Sequence, residues 1–259
     1  MLRKRIIFTL IYSNNFFMLS RNFRLQKVGN LNWLERNYKF QKIAFSIDEL
    51  IVLNATKENK SILEFASMVS NLVNDVFIPI AAGGGIKSVQ DAEILFNNGA
   101  DKIVINSLLI ENPKVVNQLV QKYGSQSIVA CIDYKKINGV NEVYIHDGTT
   151  KVDIEFEDYI RYVLELDIGE LYLNSMDKDG TGFGYDLETI KSVGGNISVP
   201  LIIAGGAGNE SHLIDGLGND NVSAVATANL FNFVGNGLPN ARTKILESGL
   251  NIANWNVNN

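Results

Sequence analysis

The segment PIAAGGG at 79–85 is a short apolar run ending in three glycines, and it returns as PLIIAGG at 200–206. The same spacing separates IDEL at 47–50 from IGEL at 168–171. The opening run IIFTLI at 6–11 matches IVACID at 128–133. The second half of the chain therefore repeats the first. Within the repeat, an apolar Ile11 stands where the second copy has an acidic Asp133.

Short apolar, β-branched runs alternate with helical patterns along the whole chain, which is typical of βαβ units and a parallel sheet. Strands are predicted at 5–11, 48–54, 78–82, 102–106, 127–133, 170–175, 200–204 and 223–227, and helices at 32–45, 60–74, 88–98, 112–122, 154–166, 186–193, 209–217 and 237–248. Eight such units predict an α/β fold of the (β/α)8 TIM-barrel type with a two-fold repeat. We expect one domain over 1–259, with half-barrels at about 1–122 and 123–250. A doubly wound open sheet is the alternative, but the first strand lacks a glycine-rich turn after it.

Composition excludes several classes of function. A net charge of −5 and a pI near 5.2 argue against nucleic-acid and anionic-membrane surfaces. A lone cysteine and two distant histidines indicate neither a disulfide framework nor a metal site, and we expect no cofactor. The basic and apolar N-terminal run is too short for a convincing signal peptide and also matches the first strand, so the expected location is the cytoplasm.

Two connections are long enough to be functional. The first is predicted as a loop at about 12–31 and contains Arg21, Arg24 and Lys27. The second, at about 134–153, is predicted as a hairpin because Asn138-Gly139 is a favoured tight turn.

Two pairs of strand ends have the same chemistry. Gly83-Gly84-Gly85 and Asn106-Ser107 follow strands of the first half, and Gly205-Gly206 and Ala228-Asn229 follow the matching strands of the second. Glycines let backbone N–H groups approach an anion, and helix N-termini favour negative charge. Each half therefore predicts one phosphate site. The alternative is that these glycines only form tight turns.

The segment DKDG at 177–180 starts like a calcium loop but lacks the later acidic ligand. We expect Asp179 and Gly180 to border the second phosphate instead.

Taken together, these motifs resemble the cyclase subunit of imidazole glycerol phosphate synthase. The resemblance spans about 1–250 and rests on RII at 5–7, DEL at 48–50, GGGI at 83–86, GADK at 99–102, INS at 105–107, ENP at 111–113, ID at 132–133, DGT at 179–181 and GGAG at 205–208. It implies a two-phosphate ribonucleotide substrate and a glutaminase partner on the N-terminal face of the barrel, which passes ammonia through it. By motif position, one phosphate is assigned to Gly85, Asn106 and Ser107, and the other to Asp179, Gly180, Gly206, Ala228 and Asn229.

The resemblance also implies a ring of charges where ammonia enters, at Arg5, Glu49, Lys102 and Glu170. Two cations and two anions at strand starts can pair inside the barrel mouth, and buried charges need such pairing. The alternative is a purely structural ion-pair plug.

The family's catalytic pair is incomplete here. Asp133 matches one of the two aspartates that act as acid and base, while Ile11 stands at the other and cannot transfer a proton. The loop after strand one also departs from the family pattern at Asn14, Asn15 and Leu19, and Asn54 replaces an aspartate. We therefore expect impaired cyclisation.

The chain is more similar to the cyclase-like paralogues associated with amidation of bacterial surface sugars. In that branch, ammonia crosses the barrel to a separate ATP-dependent sugar amidotransferase, which forms an acetamidino group. Two alternatives stay open: a working cyclase subunit of histidine biosynthesis, and a non-catalytic scaffold that activates a glutaminase.

Overall fold

A computed structural model describes residues 3–38 and 40–255, so the predicted domain range of 1–259 extends beyond it at both ends. The described residues form twelve strands: β1 (Arg5–Ser13), β2 (Phe16–Arg21), β3 (Arg24–Gly29), β4 (Glu49–Asn54), β5 (Ile80–Gly83), β6 (Lys102–Ile105), β7 (Ile128–Ile137), β8 (Val140–Ile145), β9 (Thr150–Lys151), β10 (Glu170–Ser175), β11 (Leu201–Ala204) and β12 (Ala224–Thr227).

Eight of these strands close into a parallel barrel in the order β1, β4, β5, β6, β7, β10, β11, β12, and β12 pairs with β1. The two halves meet where β6 pairs with β7 and where β12 pairs with β1. Within the second half, β7 pairs with β10 in a register that places Asp133 opposite Asn174. All eight predicted strands are confirmed, and the fold is a (β/α)8 TIM barrel. Strands that match in the sequence repeat, such as β5 and β11, lie four positions apart around the barrel.

Helices connect the strands on the outside of the barrel. They are α1 (Leu31–Tyr38), α2 (Phe40–Ile43), α3 (Ile62–Asp75), α4 (Val89–Asn97), α5 (Leu108–Glu111), α6 (Pro113–Tyr123), α7 (Phe156–Leu164), α8 (Leu187–Val193), α9 (Glu210–Leu217) and α10 (Gly237–Glu247). Residue 39, inside the helix predicted at 32–45, lies outside the described residues. Several helices begin at a capping side chain, for example Ser88, whose hydroxyl accepts from the Asp91 N–H at 3.2 Å. None of the described helices has the length and apolar character needed to cross a membrane.

Two hairpins extend the barrel at its C-terminal end. The hairpin predicted at 134–153 is confirmed: β7 continues to Ile137 and pairs with β8 around Asn138-Gly139. The prediction of a loop at 12–31 is wrong. β1 turns at Asn14 and Asn15, both with positive φ, into β2, which then pairs with β3. Asparagine tolerates this left-handed backbone because its short side chain can hydrogen-bond locally.

Alternate residues of the barrel strands point inward and form a separate apolar cluster inside the barrel. Its buried members are Ile7, Ile51, Ala81, Val104, Val129, Cys131, Tyr172, Ile202, Ala204, Ala224 and Ala226. The other strand residues pack against the helices in a larger core. This period of two determines which side chains reach each end of the barrel.

Candidate functional site

The main cavity lies at the C-terminal ends of the barrel strands and has a volume of about 730 Å³. A smaller recess of about 60 Å³ adjoins it. We call them the large lobe and the small lobe. They share five lining residues: Ile11, Ser20, Leu53, Asn174 and Asp179. Active sites of (β/α)8 enzymes lie at this end of the barrel.

The large lobe contains the first set of predicted phosphate residues, namely Gly85, Asn106 and Ser107. Gly85 has φ of +88°, and a Cβ there would lie 2.5 Å from Lys60 Cδ. Three lysines, Lys57, Lys60 and Lys87, line the same lobe. Glycine lets the backbone N–H groups come close to a ligand, and the lysines add positive charge. Both features favour binding of an anionic group.

The small lobe contains all five residues predicted for the second phosphate: Asp179, Gly180, Gly206, Ala228 and Asn229. Gly206 has φ of +107°, and a Cβ at this position would lie 2.0 Å from the carbonyl oxygen of Gly184. The chain therefore requires glycine here for close approach between two loops. The matching glycine segments of the two halves of the sequence therefore line two separate lobes of the cavity.

Asp179 is held by the hairpin of β2 and β3. Its Oδ2 accepts from Ser20 Oγ at 2.5 Å and from the Phe23 N–H at 3.0 Å. A Cβ on Gly180 would lie 2.2 Å from the Ser20 carbonyl oxygen. The hairpin tip therefore packs directly on Asp179-Gly180 and forms one wall between the lobes.

Asp133 is buried at the end of the barrel interior, on the wall of the large lobe. Its two carboxylate oxygens accept from Asn106 Nδ2 at 3.0 Å and from Asn174 Nδ2 at 2.8 Å. Burial raises the pKa of Asp133 to about 7; the hydrogen bond from Asn174 opposes this increase, and the charges of Asp147 and Asp179 add to it. A carboxyl group with a pKa near neutrality can act as acid or base.

Ile11 lines both lobes and is partly buried. Its strand neighbours are Leu53 on β4 and Met18 on β2, so this wall of the cavity is apolar. The structure thus places Ile11 and Asp133 in one cavity. Of these two residues, Asp133 has a carboxyl group and Ile11 does not.

Arg5, Glu49, Lys102 and Glu170 meet at the N-terminal end of the barrel, where each is the first residue of its strand. We call them the charged ring. Arg5 Nη1 lies 2.7 Å from Glu49 and 3.1 Å from Glu170, and Lys102 Nζ lies 3.0 Å and 2.9 Å from the same two carboxylates. Burial raises the pKa of Glu49, and the charges of Lys102 and Arg5 oppose that shift. Each cation therefore bridges both anions.

The barrel interior between the charged ring and the cavity is mainly apolar. Of the inward-facing residues that the structure describes there, Thr9 and Tyr172 have hydroxyl groups, and their oxygens lie 3.3 Å apart. Both residues are buried and line the floor of the small lobe. A neutral solute would cross this interior more readily than an ion.

Sequence reasoning missed several residues of the cavity, among them the three lysines of the large lobe and Asn174, His146 and Asp147. The repeat contained a signal for Asn174, because Leu173-Asn174 matches Leu53-Asn54. Nothing local marks the turn at 146–147 as part of the cavity, since its position depends on the hairpin of β7 and β8. In the part of the chain that the structure describes, no three His, Cys, Asp or Glu side chains form a group that could hold a metal ion.

A (β/α)8 barrel with a two-lobed cavity at its strand C-termini places the chain in the class of TIM-barrel proteins. A family model described as "Histidine biosynthesis protein" matches residues 26–235. The chain belongs to this family, and within it to the members that resemble HisF.

Individual relatives match over nearly the whole chain. A protein of Parasynechococcus marenigrum (strain WH8102) named "Putative imidazole glycerol phosphate synthase subunit hisF2" is 44% identical over 256 residues, which cover 98% of this chain and 95% of that protein. "Imidazole glycerol phosphate synthase subunit HisF" of Chlorobaculum parvum is 34% identical, over 96% of this chain and 98% of that protein. The HisF subunit of Chloroherpeton thalassium is 32% identical, over 97% and 99%.

Proposed function

We propose that this chain is the synthase-type subunit of a glutamine amidotransferase system, and that it receives ammonia from a glutaminase for amidation of a bacterial surface sugar. The observation that most supports this proposal is the combination of a complete charged ring with an incomplete acid–base pair. Ammonia entry needs Arg5, Glu49, Lys102 and Glu170, whereas ring closure needs the carboxyl group that Ile11 lacks.

The proposed path of ammonia runs along the barrel axis. The charged ring faces the glutaminase, and neutral ammonia crosses the apolar interior to the Thr9–Tyr172 pair and the cavity. Exposed aromatic residues support docking of a partner at the N-terminal face: Phe45 precedes β4, Phe77 precedes β5, and Trp255 lies against the Arg242 guanidinium. Tryptophan and other aromatic residues are enriched at protein–protein interfaces.

The ligand of the cavity is proposed to be phosphorylated, because both lobes combine glycine backbone with polar side chains. The large lobe adds lysine charge to this arrangement. The acceptor of the nitrogen would be a separate ATP-dependent sugar amidotransferase, which receives the ammonia at the cavity end of the barrel.

Catalysis of ring closure is disfavoured because, of the two positions that the family uses as acid and base, position 133 has a carboxyl group and position 11 has an isoleucine. Loss of a general acid or base typically costs about 10²- to 10⁴-fold in rate. The Thr9 hydroxyl is directed toward Tyr172 and does not replace a carboxyl group near neutral pH. A cyclase of histidine biosynthesis and a scaffold that only activates the glutaminase are the competing functions.

Reconstitution with the glutaminase and the two-phosphate ribonucleotide substrate tests the proposal directly. We expect glutamine hydrolysis without formation of imidazole glycerol phosphate, measured by chromatography of the products. Robust turnover to that product would establish the cyclase function instead.

Phosphate binding separates the proposed role from that of a scaffold. We expect Gly85→Ala to weaken binding of inorganic phosphate, measured by calorimetry, because the new Cβ displaces Lys60. Gly139→Ala is the matched control, since Gly139 also has positive φ and a Cβ added there would meet no atom within 4 Å. Equal phosphate binding by both variants and the wild-type chain would favour the scaffold.

A further inference from the structure

Cations line one lobe of the cavity and not the other. In the large lobe, Lys60 packs against Gly85, Lys87 follows that glycine by two residues, and Lys57 lies in the same loop as Lys60. Of the described residues that line the small lobe, none is lysine or arginine. A phosphate ester carries about two negative charges near neutral pH, so the large lobe alone offers it opposite charge.

The charged side chain among the described residues of the small lobe is an acid. Asp179 lines this lobe, is buried, and is held in place by the Ser20 hydroxyl and the Phe23 N–H. A carboxylate repels a phosphate at short range, and most strongly where water is excluded. The large lobe has acidic side chains as well, among them Asp133 and Asp179, but it combines them with lysines. The small lobe is therefore unfavourable for a second phosphate.

Backbone N–H groups in the turn after β12 are paired within the turn itself. The Asn229 N–H donates to Thr227 Oγ1 at 3.4 Å, and Asn229 Oδ1 accepts from the N–H groups of Phe231 and Asn232 at 3.1 Å and 3.0 Å. The helix that follows this turn, α10, begins only at Gly237. A site without cations binds phosphate through free N–H groups and a helix N-terminus, and this turn provides little of either.

The glycines of the two lobes also have different neighbours. A Cβ on Gly85 would meet the Lys60 side chain, whereas a Cβ on Gly206 would meet the backbone of Gly184. Gly206 therefore allows two loops to pack, and that packing explains the glycine without a ligand. The other polar side chains of the small lobe are neutral: Thr9, Ser20, Tyr172, Asn174, Thr227 and Asn229. Hydroxyl and amide groups of this kind suit an uncharged, hydroxylated part of a ligand.

We propose that the cavity binds a ligand with a phosphate at one end only. The phosphate occupies the large lobe beside Gly85 and the three lysines, and an uncharged, hydroxylated end faces the small lobe. The favoured ligand class is a sugar or polyol monophosphate, rather than a molecule with a phosphate at each end. This inference rests on the proposed function only in that the large lobe binds phosphate. It replaces the second phosphate that motif position assigns to the small lobe.

Two cations lie near the small lobe without lining it. A Cβ on Gly180 would lie 3.0 Å from Arg21 Cβ, and one on Gly206 would lie 3.1 Å from Lys178 Cβ. Neither cation is a lining residue of the lobe, and Arg21 is exposed on the hairpin of β2 and β3. A second phosphate held by these two residues at the rim is the competing arrangement, and the titration described next detects it.

Titration of the full chain with inorganic phosphate, followed by backbone amide NMR, tests the proposal. We expect shifts at Gly85 and Ser107, and binding weaker by about tenfold or more at Gly180 and Gly206. Comparable or tighter binding at Gly180 and Gly206 would overturn the inference, while the amidation proposal stands. Absence of phosphate binding would overturn the inference together with the phosphate assignment of the large lobe. Ammonia transfer is tested separately, by the reconstitution with the glutaminase.

Adding a cation to the small lobe tests whether missing charge is the cause. Leu19 lines this lobe from β2 and is half-buried. Leu19→Lys is expected to strengthen phosphate binding at Gly180 and Gly206 by about tenfold or more, with binding at Gly85 unchanged. Leu19→Met is the matched control, because it is also unbranched at Cγ but uncharged, and it should bind phosphate as the wild-type chain does. A Leu19→Lys variant with a native amide spectrum and no such gain would overturn the proposal.

Discussion

The Thr9 Oγ1 and Tyr172 Oη atoms lie 3.3 Å apart and join β1 to β10 through the barrel interior. β11 and β12 separate these two strands in the sheet, so the contact crosses the interior instead of following the barrel wall. Both side chains are buried, and the surrounding cluster is apolar. This hydroxyl pair lies between the charged ring and the cavity, on the path that we propose for ammonia.

The pair should show strong energetic coupling. Tyr172→Phe and Thr9→Val each leave one buried hydroxyl unpaired and are expected to lower the free energy of unfolding by about 1–2 kcal/mol. The double variant should cost less than the sum of the two, because no unpaired hydroxyl is left. Urea denaturation of the four proteins measures the coupling. Additive losses would show that the two hydroxyls do not interact.

Removal of one charge from the charged ring is expected to lower the free energy of unfolding. Glu49 is buried and pairs with Arg5 and Lys102, so Glu49→Gln leaves an excess of positive charge and should cost about 3–5 kcal/mol of unfolding free energy. Glu93→Gln is the control, because its pair with Lys122 is exposed and solvent screening leaves such a pair little effect on stability. Similar losses in both variants, measured by chemical denaturation, would contradict a buried ring.

Asp133 predicts a specific dependence of stability on pH. Its pKa is about 7 in the folded chain and near 3.8 when unfolded, so the folded state binds more protons between these values. Its contribution to stability is therefore fully present below about pH 4 and decreases as pH rises to about 7, by roughly 4 kcal/mol in total.

Comparison of Asp133→Asn with the wild-type chain isolates this effect. The variant lacks the titration, so the stability of the wild-type chain relative to it should decrease from pH 4 to pH 7, measured by urea denaturation across that range. Asp153→Asn should follow the wild-type profile. A stability difference between the wild-type chain and Asp133→Asn that is constant with pH would show that the Asp133 carboxyl group has no raised pKa.

The barrel was predictable because its signals are local and repeated. Each strand has its own apolar run, and the glycine turns after β5 and β11 mark equivalent positions in the two halves. The hairpin of β2 and β3 was missed, although Asn14 and Asn15 are residues that tolerate a left-handed turn. The position of Asp147 was beyond sequence reasoning, because contacts with Ser107 and Phe23 place its turn in the cavity.

Close backbone approach at the small lobe should make Gly206 irreplaceable. Gly206→Ala combines positive φ with a Cβ 2.0 Å from a carbonyl oxygen, and it is expected to cost about 3 kcal/mol or more. Gly139→Ala has comparable φ with open space around it, and should cost about 1 kcal/mol. Thermal unfolding of the two variants separates steric conflict from backbone strain. Equal losses of stability in the two variants would show that glycine is needed at position 206 only for its positive φ, and not because a Cβ would collide with Gly184.

Ile11→Asp tests whether the absence of a carboxyl group at position 11 prevents cyclisation. The substitution places a second carboxyl group in the cavity that contains Asp133, on the wall shared by both lobes. We expect measurable formation of imidazole glycerol phosphate from the ribonucleotide substrate and glutamine, in the presence of the glutaminase. Ile11→Asn is the control, since it is polar but cannot transfer a proton. Equal activity of the two variants would exclude acid–base catalysis by the new side chain. Continued inactivity of Ile11→Asp would instead show that Leu19 and Asn54 also prevent the reaction.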